Sequence, residues 1–125
     1  METLLLVLIG GFGGGISRFF ISGLVARRIG ETFPWGTFCV NITGCFLIGA
    51  LAGLGQSVGG IFAERWFGAL FITGFCGGYT TVSSFALQSL ALGLDGEGRL
   101  AFSNVAISAA GCMAAVACGF WVAAL

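Results

Sequence analysis

The chain alternates between long apolar runs and short polar interruptions. Residues 4–26, 35–55, 66–94 and 100–125 are apolar almost throughout, and most charges gather between them. Arg27, Arg28 and Glu31 precede Pro34, Glu64 and Arg65 form a second interruption, and Asp95, Glu97 and Arg99 form a third. A crossing helix needs about 20 apolar residues to match a hydrocarbon core of roughly 30 Å. Each run is long enough, so the pattern predicts an all-α membrane protein. Four transmembrane helices and short loops form one domain, residues 1–125, with no soluble domain. Trp35, Trp66 and Trp121 stand near run ends, where indole rings favour the interface. The first run differs from a secretory signal in its Glu2, where a basic residue is usual, and in its apolar length.

The third run breaks the regularity. As a continuous helix, residues 66–94 would extend about 43 Å, well beyond the hydrocarbon core. Near its middle lies "GFCGGYTTVSSF", residues 74–85, in which three glycines and Tyr79 lead into Thr80, Thr81, Val82, Ser83 and Ser84. A spanning segment must satisfy its own backbone, and a helix broken here would release carbonyls from one half and amides from the other. Broken helices at the midplane hold ions in transporters in this way. The other reading is a kinked helix whose hydroxyls bond back to preceding carbonyls. Sequence alone leaves both open.

Composition settles the solvent. Apolar residues make up 58% of the chain and charged residues 8%, against about 25% charged in an average soluble domain. Lipid must therefore face most of the surface. A formal net charge of zero argues against an electrostatic nucleic-acid binder. Cys39, Cys45, Cys76, Cys112 and Cys118 all fall within apolar runs, form no CxxC pair and are odd in number. They indicate neither a disulfide framework nor a zinc site, and read as small, soft packing residues. Gly10 and Gly14, Gly11 and Gly15, and Gly49 and Gly53 have the spacing that lets helices approach closely. No nucleophile and base pair suggests an enzyme.

The polar residues inside the runs carry the chemistry. "GTFCVNITGCFLIG" places Asn41 deep in the second helix, as interhelical glue or as an amide donor for an anion. Asn104, Ser108 and Cys112 recur at helical spacing and share one face of the fourth helix. Arg18 follows "GGGIS", and an intramembrane arginine marks a functional site unless it snorkels to an interface. No aspartate or glutamate lies within a run, which removes the usual proton relay. The interior offers donors, one positive charge and no acid.

Together "GGGISRFF", "GTFCVNITGCFLIG" and "GFCGGYTTVSSF" resemble the Fluc (CrcB) fluoride channels of bacteria. Their patterns are a glycine-rich run ending in arginine, then GTxxVNxxG, then GFxGGxTTFSTF, on successive helices. The resemblance covers almost the whole chain. It implies an antiparallel, dual-topology homodimer of four-helix subunits in the bacterial inner membrane, with the third helix broken near its middle. It further implies two pores that export fluoride passively and a central structural sodium ion held by the Gly77 and Thr80 carbonyls of both copies. A helix continuous through Gly77 would count against that ion.

In the pore the resemblance implies Asn41 as a donor to fluoride and Phe85 as an aromatic station, whose positive ring edge can face an anion. Ser108 and Cys112 would continue a hydroxyl track, although the family often has serine at the second position. Arg18 would draw anions into a vestibule. Val82 replaces the first of two family phenylalanines on the same helix face. Conduction is expected to survive because Asn41, the hydroxyls of Ser83 or Ser84, and Ser108 still offer donors, with Phe85 as the remaining aromatic. Two other functions fit a four-helix membrane chain. One is a non-transporting accessory or assembly protein. The other is a small dual-topology multidrug exporter, which needs a membrane-embedded glutamate where this chain has only Glu2 early on.

Overall fold

In the computed structural model, which describes all 125 residues, the chain is helical throughout and contains no strand. Helix α1 covers Glu2–Ile29 and α2 covers Trp35–Ser57, followed by a 3₁₀ turn at Gly60–Ala63. The third span, Arg65–Leu94, is composite. It runs through α3 (Arg65–Phe67), a π-helical segment (Gly68–Cys76), α4 (Gly77–Tyr79) and α5 (Val82–Leu94). Helix α6, Gly98–Ala124, closes the chain. Of 103 backbone hydrogen bonds, 89 lie within these helices, so the apolar runs meet lipid with their polar backbone already paired. The first helix extends past its apolar run because Arg27 and Arg28 continue the last turn, where cations favour the helix terminus. Gly30, at φ 104°, then turns the chain toward α2.

Two glycine seams organise the packing. Helix α1 lies against the π segment and α4, while α2 lies against α6. A Cβ at Gly10 would strike the Leu70 carbonyl, at Gly14 that of Phe75, and at Gly78 that of Gly11. In the second seam Gly49 meets Val116, Gly53 meets Phe120, and Gly119 meets Phe46. Of the spaced pairs expected from sequence, Gly15 has no neighbour within 4 Å and takes no part in either seam. Backbones in lipid gain no hydrophobic drive toward one another, so close van der Waals approach across such glycines is what associates the helices.

The third span does break near its middle, but not at its glycines. Gly77 keeps helical angles (φ −63°, ψ −36°). The chain leaves the helix at Thr80 (φ −80°, ψ 158°) and Thr81 (φ −149°, ψ 121°), then resumes at Val82. The hydroxyl pair forms the break, and the glycines before it serve close packing. Only 18 of the 125 residues are buried, so one copy encloses little interior of its own.

Gly49 lies within a seam and Gly15 outside both, so the two should answer differently to an added side chain. Gly49→Leu should overpack the α2 and α6 contact and cost about 1–3 kcal/mol or more, whereas Gly15→Ala should stay within about 0.5 kcal/mol of the parent protein. Thermal unfolding in detergent measures both, and equal melting temperatures would mean that the seam does not hold the fold.

Candidate functional site

At the break, one side chain replaces the missing helical partners. Asn41 on α2 accepts a hydrogen bond from the Thr81 backbone N–H at Oδ1 (2.7 Å) and donates from Nδ2 to the Thr81 carbonyl (2.9 Å). The amide thus pairs with the extended backbone of Thr81 as a neighbouring strand would. Thr81 is itself buried, and its hydroxyl accepts from the Ser84 N–H at 3.1 Å, capping the N-terminus of α5. Ser83 and Ser84 both bond to the same hydroxyl, at 3.1 and 3.2 Å.

These diversions have a definite consequence upstream. In an unbroken helix the Thr81 N–H would bond the Gly77 carbonyl, and the Ser84 N–H would bond that of Thr80. Both amides donate elsewhere, so both carbonyls lose their helical donors. Gly77 is exposed on the single chain, and a Cβ there would meet nothing within 4 Å. The end of α4 is fixed separately. Tyr79 is buried, its hydroxyl lies 2.9 Å from the Thr43 hydroxyl, and its ring stacks on Phe75 at 5.9 Å. Gly44 leaves room for the Tyr79 ring and the Thr80 methyl.

Beside the break opens a groove of about 290 Å³, bringing together Asn41, Thr80, Val82, Phe85, Ser108 and Cys112. No carboxylate lines it. Asn41 retains one N–H that no protein group accepts, because Nδ2 carries two hydrogens and only one is engaged. Val82 and Phe85 come from the first turn of α5, Val82 the more exposed of the two. Ser108 donates to Asn104 Oδ1 (3.3 Å), Asn104 donates to Ser89 Oγ (2.8 Å), and Ser89 donates to the Phe85 carbonyl (2.8 Å). This chain of bonds ties α6 to α5 behind the groove.

Arg18, Ser83 and Ser84 stand outside that groove. Arg18 and Ser84 line an adjoining hollow of about 250 Å³, which reaches the groove at Thr81. A wider mouth of about 570 Å³ opens beyond it and shares Ser22, Thr37 and Ser84 with the hollow. Glu31 and Asp95 line the mouth, and Arg18 lines the adjoining hollow. Two groups escaped the sequence reading. Thr81 is the hinge of the site, signalled by a hydroxyl residue three positions before Ser84 at a helix start. The pairing of Asn104 with Ser89 has no sequence signal, since the partners lie on different helices.

The Asn41 bracket should carry measurable stability. Asn41→Ala leaves the Thr81 amide and carbonyl unpaired, for an expected loss of about 2–4 kcal/mol. Ser17→Ala, which removes only a bond back to the Gly13 carbonyl, should cost less than about 0.5 kcal/mol. Chemical or thermal unfolding that ranks the two alike would show that the bracket does not secure the break.

Comparison with known proteins points in one direction. Residues 5–120 match the family described as CrcB-like protein, Camphor Resistance (CrcB). The chain is 58% identical over 120 residues to the fluoride-specific ion channel FluC 4 of Brucella abortus biovar 1, covering 96% of this chain and 90% of that protein. It is 51% identical over 123 residues to the fluoride-specific ion channel FluC 2 of Bradyrhizobium diazoefficiens, covering 98% and 90%. Against the fluoride-specific ion channel FluC of Rhodospirillum rubrum the identity is 45% over 114 residues, covering 91% and 88%.

Proposed function

The chain belongs to the CrcB family, and from that premise we propose that it is a fluoride-selective channel of the bacterial inner membrane, passive and not an enzyme. The observation that carries this reading is the groove in which Asn41, Phe85 and Ser108 converge without a carboxylate. Fluoride is small and tightly hydrated, so a pore must replace the hydrogen bonds of water at close range. The free N–H of Asn41 supplies one such donor. The ring edge of Phe85 faces an anion without a full countercharge, which lets the ion leave again. Arg18, one chamber away, raises the local anion concentration by its field. Fluoride that entered an acidified cell as the neutral acid ionises inside and leaves down its gradient.

The working unit in this proposal is an antiparallel homodimer. Few residues are buried in one copy, and the open space over Gly77 suits close approach of a second backbone. Loop arginines favour one face only weakly, with Arg27, Arg28 and Arg99 against Arg65. Such a small bias supports insertion in both orientations. A structural sodium ion would be held by the Gly77 and Thr80 carbonyls of both copies. The helical continuity at Gly77 counts against the ion. The diversion of the Thr81 and Ser84 amides counts for it, since it leaves these two carbonyls without their helical donors. When bound, the ion would supply a fixed positive charge among oxygen dipoles.

Fluoride efflux from liposomes containing only this protein tests the function and separates a channel from an accessory protein. Wild type and Val82→Phe should both conduct, and Phe85→Ile should conduct more slowly. Equal rates for Phe85→Ile and wild type in folded protein would overturn the pore assignment. If only Val82→Phe conducts, valine has disabled the path. Topology is tested separately: C-terminal reporters should register on both sides of the membrane, and a single orientation would exclude the antiparallel dimer.

A further inference from the structure

Two cysteines meet in the groove. Helices α2 and α6 run in parallel register, with Gly49 against Val116 and Gly53 against Phe120. One helical turn earlier on both helices, the same register sets Cys45 opposite Cys112. Both thiols are partly exposed and line the groove of about 290 Å³. They are close enough for their side chains to interact. Cys76 does not join them as a third ligand, since no set of three histidine, cysteine, aspartate or glutamate side chains is placed to share a metal.

That donor set is selective. Zinc in structural sites takes four ligands in a tetrahedron, which this groove lacks. Thiolates favour soft metals, and among these the d¹⁰ ions that coordinate linearly are satisfied by two. Charge narrows the choice further. Two thiolates around a divalent ion form a neutral unit, whereas around a monovalent ion they keep a net negative charge.

We propose that Cys45 and Cys112 form a two-thiolate site for a soft, linearly coordinating divalent cation of the mercuric type, and that its occupation closes the groove to anions. The closure rests on the groove being the conduction path; the binding does not. Binding releases one proton from each thiol and forms two sulfur–metal bonds, with no change of oxidation state. The bridge would then lock α2 to α6 beside Ser108.

The full-length protein is exposed to mercuric chloride in the presence of a monothiol and its intact mass is measured. A paired site holds bare mercury with two protons lost. An isolated cysteine instead forms a mixed adduct that retains the monothiol. Wild type should show the bare bridge, and Cys45→Ser and Cys112→Ser should each show only mixed adducts. Only mixed adducts in wild type, or a bare bridge surviving in both variants, would overturn the site. In liposomes, mercuric chloride should reduce wild-type fluoride efflux to the leak of protein-free vesicles, and a dithiol chelator should restore it. Each serine variant, compared with its own metal-free rate, should resist the block. A bare bridge with undiminished efflux would overturn closure. Absence of efflux before metal is added would instead refute the channel reading, while the mass measurement still decides the binding site.

Discussion

The structure depends on the bidentate bond between Asn41 and the backbone of Thr81. Lipid offers no hydrogen bonds, so a helix can open inside a membrane only where another group takes the place of its own turns. A primary amide carries a donor and an acceptor side by side, which is what an extended residue needs. With Asn41 in place, Thr81 leaves the helix without orphaning its polar groups. The Thr81 hydroxyl then starts α5 by receiving the Ser84 amide. Both the start of the helix that carries Phe85 and the release of the Gly77 and Thr80 carbonyls follow from those two side chains.

The glycine seams set where that bond can form. Close approach of α1 to the π segment, and of α2 to α6, fixes the height of each helix against its neighbour. Gly44 lets Thr80 and Tyr79 settle against α2, only one turn beyond Asn41. The aromatic stack of Phe75 and Tyr79, with the bond between Tyr79 and Thr43, holds the last turn before the break. Packing sets the positions and hydrogen bonding then uses them, with apolar surface left over for lipid.

The spans were legible because lipid imposes length and hydropathy on every crossing, and those are properties of local sequence. The break in the third span was also legible, since an overlong run with a hydroxyl cluster has few other fates. Which residues of that cluster leave the helix was not. Glycine is the residue most readily assigned to irregular backbone, yet Gly77 and Gly78 stay helical and Gly78 packs on Gly11. The capping chemistry of Thr81 was the better guide, but the need for it appears only once Asn41 is known to reach across. Asn41, left open between glue and anion donor, is glue to Thr81 and keeps one N–H besides. The facing of Cys45 and Cys112 was out of reach, because it depends on the register between two helices far apart in sequence.

The π segment Gly68–Cys76 sets the phase of everything after it. Each residue of an α-helix advances about 100° around the axis, and a π turn accommodates an additional residue within the helix. Removing that additional residue would leave an α-helical turn in its place, with Tyr79 still facing Thr43 and Thr81 still facing Asn41. Removing a further one from the resulting α-helix would rotate both by about 100°, and the two halves of the span would no longer address the same neighbours. The π segment therefore gives the span a one-residue latitude in length ahead of the break.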